Sequence, residues 1–326
     1  TVRRWDPARG FDQVATREIP IRGGPKISLV AAPGTAGVAA VYAVSPGKEI
    51  EAIDLRCDAA EPLELPGERR VWRAAVDRGG RIAVCFLDGG PPEVFRLAHR
   101  SGNATQSTAV ELPAGTDAKE AFAAWTPAGE LVVGIRDGRL FWYPVDVAAG
   151  RKIAALEGVV HAFAIAPAGP PQLAAYGDRV VILPLPRPGN PRGPLGPPLV
   201  VPVAGETLAV AWSPDARLIA CGTRTGAVTL FDAATGATQG TLAPHERAIT
   251  GIAFSPDGQT LVSADRDAVR ISDVATLTTF DELRPGIDVT GIHLTSDAQR
   301  LVLAGGPAEG DRERPGRLLI MELPAP

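Results

Sequence analysis

Residues 245–277, HERAITGIAFSPDGQTLVSADRDAVRISDVATL, decide the fold. The stretch holds three short β patterns with turn signals between them. AITGIAF is apolar and built mostly from small residues. SPDGQ is turn chemistry, in which Pro and Asp-Gly punctuate the chain. TLVSAD and AVRISD then read as two further strands. Three strands in about thirty residues cannot bury their own apolar faces, so the unit needs copies of itself on either side.

The chain supplies them. Phe254 precedes SPDG, and the equivalent markers are Ala31, Val76, Trp125, Ile165, Trp212 and Leu294. From Ala31 to Leu294 the successive spacings are 45, 49, 40, 47, 42 and 40 residues. That period is the one expected of propeller blades, and seven markers predict seven blades. Each repeat reads as inner strand a, turn, strand b, loop, strand c and a weaker outer strand d. The outer strands are expected at EPLELP, TAVELP, KIAALE, PLVVPV, ATQGTLA and TFDELR. Their polarity fits sheet edges. Strands a carry small residues such as Gly251, Ala253, Ala209, Ala211, Ala123 and Ala124, as required where blades converge on an axis. The fold class is therefore all-β, a seven-bladed β-propeller of four-stranded antiparallel blades in one domain spanning 1–326. Approximate blade limits are 26–66, 68–113, 119–157, 159–203, 206–243, 247–284 and 288–324. The seventh blade has no outer strand of its own. Residues 2–21 are expected to provide it, through VRRWD or QVATREI, and so to close the ring.

Composition agrees. The 326 residues are 45% hydrophobic and 21% charged, those of a soluble globular chain. A formal net charge of −4 argues against a general polyanion binder, so no nucleic-acid partner is expected. No apolar run approaches the roughly 20 residues that span a bilayer, and no membrane partner is expected. The N-terminus has no apolar signal core, and the expected location is cytoplasmic. The chain begins without Met, which reads as an excised part of a longer protein. Cys57, Cys85 and Cys221 form no CxxC pair and suggest neither a disulfide framework nor a zinc site. Cys85 and Cys221 sit in apolar strand patterns and read as buried small residues.

These residues resemble the WD-repeat family of β-propellers. The closest matches are blade six (HERAITGIAFSPDG…VRISDVAT) and blade five (AWSPDARLIACGTRTGAVTLFDAATG), with VRRWDPARG similar to a strand c ending in Trp-Asp. In that family a His before strand a, a Ser or Thr on strand b, an Asp in the b–c turn and the Trp of strand c form a hydrogen-bond network. Blade six keeps His245, Ser263 and an Asp at Asp265 or Asp267, with Ser272 in the place of Trp. Blade five keeps Phe231-Asp232 but has Thr225 where the Asp belongs. The resemblance implies a platform for a protein or peptide partner. It also places the d–a and b–c loops on the top face. The residues opening the strands a there are Arg70, Lys119, Glu120, His161, Glu206, Arg247 and Asp288, and their mixed sign suits a protein partner.

Chemistry is not visible in the chain. His99, His161, His245 and His293 have no metal-ligand spacing. His293 alternates into strand a and reads as packed, whereas His161 opens an inner strand close to the axis. No nucleophile elbow or phosphate-binding glycine loop occurs. The Asp-Gly pairs at 88–89, 137–138 and 257–258 are hairpin turns. No catalytic residue, metal or cofactor is expected, and the protein reads as a non-enzyme. A propeller enzyme or a small-ligand sensor with its site in the central channel is the alternative, because side chains from different blades converge there. Phe141-Trp142-Tyr143 is either inter-blade core, with Trp142 facing opposite to its neighbours, or an exposed anchor for a partner. Residues 184–202, PLPRPGNPRGPLGPPLVVP, read as a stiff polyproline-like loop or as a ligand for a proline-recognising domain. Residues 305–316 lengthen the b–c loop of blade seven with charged sequence.

Overall fold

A computed structural model of the chain describes residues 16–21, 27–31, 40–44, 50–54, 59–63, 65, 69–88, 90–97, 104–113, 116, 118–146, 150–187, 190, 192–193, 195–295, 299–307 and 315–322. VRRWD, Cys57, His99 and residues 308–314 lie outside them. Seven four-stranded antiparallel sheets follow one another. Blade 1 comprises Ser28–Ala31, Ala40–Val44, Ile50–Asp54 and Ala59–Pro62. Blade 2 comprises Val71–Val76, Arg81–Phe86, Glu93–Leu97 and Ala104–Ala109. Blade 3 comprises Phe122–Trp125, Leu131–Gly134, Arg139–Tyr143 and Arg151–Ala155. Blade 4 comprises Val160–Ile165, Gln172–Gly177, Val180–Pro184 and Leu199–Val201. Blade 5 comprises Thr207–Trp212, Leu218–Thr223, Val228–Asp232 and Thr238–Thr241. Blade 6 comprises Gly251–Phe254, Thr260–Ala264, Val269–Asp273 and Thr279–Leu283. Blade 7 takes Ile287–Leu294, Arg300–Pro307 and Gly316–Glu322, and its outer strand is Thr16–Ile21.

Every one of the seven sequence markers ends a strand a. The turn chemistry explains why. In the SPD turns, Ser213 Oγ donates to Asp215 at 2.6 Å and accepts the Leu218 N–H at 2.9 Å. Ser255 repeats the arrangement, accepting the Thr260 N–H at 2.9 Å. The small polar side chain thus takes over backbone groups that the turn leaves unpaired. Two outer strands begin earlier than their sequence suggests. In blade 1 the strand is Ala59–Pro62 rather than EPLELP, and in blade 2 it is Ala104–Ala109 rather than TAVELP. Edge strands pair on one side only, so apolar pattern marks them weakly.

Consecutive strands a pack against each other around the whole ring, and the last, Ile287–Leu294, packs on the first, Ser28–Ala31. The buried apolar residues fall into seven clusters, one per blade–blade interface. Strands b supply residues to both sides and are mostly buried, completely so in Leu131–Gly134. Alternation then splits each blade between two interfaces. Phe141 and Tyr143 join the cluster between blades 2 and 3, while Trp142 joins the one between blades 3 and 4. All three are at most 4% exposed, so the triplet is core and not an exposed anchor. Gly251 shows why strands a stay slim: a Cβ there would meet Cγ1 of Ile292, on blade 7, at 2.9 Å.

Two latches hold the seam between blades 7 and 1. On the outside Thr16–Ile21 pairs antiparallel with Gly316–Glu322, in register from Thr16↔Met321 to Ile21↔Gly316. TREIPI is thus the closing segment. Ile19 and Ile21, 3% and 1% exposed, enter the interface cluster with Ala43 and Ile53 of blade 1 and Val302 and Ile320 of blade 7. On the inside Thr290 Oγ1 donates to the Ile27 carbonyl at 2.8 Å and accepts the Ile27 N–H at 3.1 Å. Gly291 lets that contact form, since a Cβ would lie 3.2 Å from the same carbonyl oxygen.

Ile21→Ala is expected to lower the unfolding free energy by about 2–5 kcal/mol, from lost burial and a cavity at the seam. Thr290→Val should cost about 1–3 kcal/mol by orphaning the Ile27 N–H. Urea titrations check both, and sedimentation velocity should show the Ile21 variant self-associating as its closing strand frays. Cys85 and Cys221 lie fully buried in interfaces, and burial pushes both thiols up to about 12. Neither should react with a disulfide reagent in the folded protein, and both should react in denaturant.

Candidate functional site

The face carrying the d–a and b–c connections surrounds the mouth of the central channel. Arg70 and Lys119 are exposed on it. Most of the other strand-opening residues are ion-paired, and the b–c turns supply the partners. Glu120 pairs with Arg136 within blade 3, and Arg247 pairs with Asp267 within blade 6. Asp288 of blade 7 meets Arg266 of blade 6 at 3.4 Å. Glu206 gathers two partners: Arg224 Nη2 at 2.8 Å from its own blade, and His161 Nε2 at 2.8 Å from blade 4. The Arg224 guanidinium and the His161 ring hold the Glu206 carboxyl down at about 2. Sequence reasoning missed Arg136, Arg224 and Arg266, and it singled out Asp267 only as a candidate for the blade-six network. The available signal was opposite charge at the two ends of the strand a–strand b hairpins of blades 3, 5 and 6.

Beneath the rim, blade six holds a buried polar cluster. His245 Nε2 lies 2.8 Å from Ser263 Oγ, and both residues are almost fully buried. His245 Nδ1 faces Asp265 at 3.4 Å, beyond a well-formed hydrogen bond. Asp265 rather than Asp267 faces the ring, because Asp267 turns outward to Arg247. Burial opposes the Asp265 charge. The N–H groups of Ala268 at 2.7 Å and Asp267 at 2.8 Å outweigh it and hold the carboxyl below its ordinary value. Burial also lowers His245, partly offset by Asp265, so the ring is neutral near pH 7. Where the family's Trp would complete the set, Ser272 instead sits 3.0 Å from Thr279 Oγ1 and ties strand c to strand d.

Inside the ring is a cavity of about 610 Å³, lined from all seven blades. Its walls come from the upper parts of strands a and from Arg266 in a top-face turn, so it opens toward the rim. Strands a of blades 2, 4, 5 and 7 each carry a bulge near the start, at Trp72, His161, Leu208 and Thr290. A bulge re-aims the extra residue. Trp72, Leu208 and Thr290 line the cavity, whereas His161 is taken up by Glu206. Among the described residues, no three His, Cys, Asp or Glu side chains are grouped to hold a metal ion. His293 makes no such group either, and burial pushes its ring down to about 4.

The WD domain, G-beta repeat family model (WD40) matches residues 236–269, the end of blade 5 and the start of blade 6. WD repeat-containing protein 90 of Homo sapiens is 38% identical over 80 residues, covering 22% of this chain and 5% of that protein. Its Mus musculus counterpart is 35% identical over 98 residues, covering 27% of this chain and 5% of that protein. Repeat match and ring geometry agree. The chain is a seven-bladed β-propeller that carries a WD-repeat match across blades 5 and 6. The matched stretch spans about a twentieth of the length of those curated relatives.

The propeller's stability should fall in acid. His293 titrates at about 4 when folded against 6.5 for a free imidazole, so the unfolded chain binds the extra proton. The His293 contribution is complete above pH 6.5 and is lost as pH falls toward 4. His245, also lowered, acts in the same direction. Urea unfolding should show about 1–3 kcal/mol of His293-dependent loss between pH 7.5 and 4.8, which His293→Leu removes.

Proposed function

We propose that this propeller is a non-enzymatic interaction module whose top rim receives a protein or peptide partner, as part of a larger protein. WD-repeat propellers typically mediate protein–protein interactions, and the matched relatives are far longer than the matched stretch. The observation that carries the reading is the rim. Paired charges of both signs alternate around it, on rigid hairpin ends rather than on long loops. Such a surface gives orientation and partner choice more than raw attraction. A partner that reaches it exchanges existing ion pairs for intermolecular ones. That exchange favours a partner of matched sign pattern over a uniform polyanion or polycation.

Swapping one pair tests this without a folding penalty. Arg247→Asp combined with Asp267→Arg keeps the ion pair but inverts the local pattern. Binding partners captured by the immobilised propeller, and confirmed with purified components, should lose about tenfold or more in affinity. Arg217→Asp on the opposite face should change nothing. Equal binding by the swapped variant, or loss only with Arg217→Asp, refutes the placement.

A further inference from the structure

The central cavity combines features that the rim lacks. Arg73, the residue after the blade 2 bulge, lines it and has no carboxylate partner among the described residues. Its ring contact is with Trp72, 5.6 Å from the guanidinium to the centroid. None of the described lining residues is an Asp or Glu. Arg266 at the mouth is already matched by Asp288. The hydroxyls of Ser28, Thr250 and Thr290 are spent on backbone carbonyls. Tyr176 reaches the cavity from strand b of blade 4, and the Arg73 charge acts on it, pulling against the burial that pushes the phenol up. The remaining wall is apolar and aromatic, with Phe122 and Phe163 5.3 Å apart between centroids and their planes tilted by 59°.

A half-buried guanidinium without an anion is costly to keep in a chain that compensates its rim charges so thoroughly. A volume of about 610 Å³ falls within the range of small-molecule sites, which are mostly apolar with a few fixed polar groups. We propose that the channel binds a small aromatic monocarboxylate. Its carboxylate is held by the Arg73 fork, with Tyr176 as a second donor, and its ring lies against Trp72, Phe122 and Phe163. The bulges at Trp72 and Leu208 shape the walls for that ring. This site does not depend on rim binding, and its occupant would sit directly below whatever covers the rim.

Isothermal titration of the 326-residue chain with benzoate, cinnamate and 2-naphthoate tests it. At least one acid should bind with a dissociation constant of about 1 mM or tighter and quench Trp72 fluorescence. Its neutral amide should bind at least about tenfold more weakly, and Arg73→Met should lose about tenfold or more, the worth of a charge-assisted bidentate bond. Far-ultraviolet circular dichroism and an unchanged urea midpoint establish that the variant folds. The milder Arg73→Lys variant keeps the charge without the fork and should fall between the two. Lack of binding by all three acids overturns the proposal. So does equal affinity for acid and amide, or binding that Arg73→Met leaves unchanged. Tighter binding of a phenylalanine-terminated peptide than of the free acids would move the site from small molecules to peptides and also overturn it.

Discussion

No blade in this molecule owns a core. Each sheet has two apolar faces, and each face is buried only against the neighbouring blade. The seven interface clusters are therefore the units of stability, and they are shared. A ring of such units removes every inner-strand gap but concentrates the risk at one seam, where the chain begins and ends. The outer latch uses strand pairing and two buried isoleucines. The inner latch uses one threonine hydroxyl that satisfies both backbone groups of Ile27. The first supplies hydrophobic area, which is not directional, and the second fixes the axial register that area alone leaves free.

What the sequence made legible follows from this constraint. Strand a, the SPDG-type turn and strand b recur because shared burial and tight turn chemistry act on them in every repeat. All seven markers accordingly end a strand a. Alternation placed Trp142 opposite Phe141 and Tyr143, and that is how the interfaces divide them. The outer strands were harder. Ala59–Pro62 and Ala104–Ala109 carry little apolar pattern because one of their edges pairs with nothing. The choice between VRRWD and QVATREI had no local signal at all. Ile19 and Ile21 read as an ordinary alternation until blade 7 is seen to need an edge.

The candidate site was legible in part. Opening residues of strands a do surround the channel mouth, but Arg136, Arg224 and Asp267 come from turns sixteen to twenty residues further along, and Arg266 comes from the blade before Asp288. The cavity was invisible for a deeper reason. Its wall takes residues from all seven blades, spread from Ile27 to Thr290, and no single repeat contains more than a small part of it. The bulges that aim Trp72 and Leu208 inward are one-residue register shifts, which apolar periodicity cannot distinguish from a regular strand.

The departures from the family's polar network bear on how the ring divides its labour. Blade 6 retains His245, Ser263 and Asp265 but ends the chain of contacts at Ser272, so its top face is tied to strand b and not through to strand c. Elsewhere the polar ties run between blades. Trp125 Nε1 donates to the Ala75 carbonyl at 3.1 Å, and Trp212 Nε1 donates to the Ala164 carbonyl at 3.0 Å. Each indole thus fixes its strand a to the strand a of the preceding blade on the face opposite the rim. Arg81 reinforces the first of these, lying 4.2 Å from the Trp125 ring and donating to the Gly129 carbonyl at 2.6 Å. On the rim side, the His161–Glu206 hydrogen bond and the Arg266–Asp288 ion pair cross the 4/5 and 6/7 interfaces where water can reach and exchange them. The far face is held by buried indole bonds and the near face by exposed ion pairs. Local adjustment then costs least at the rim and channel mouth, the side on which both proposed ligands would arrive.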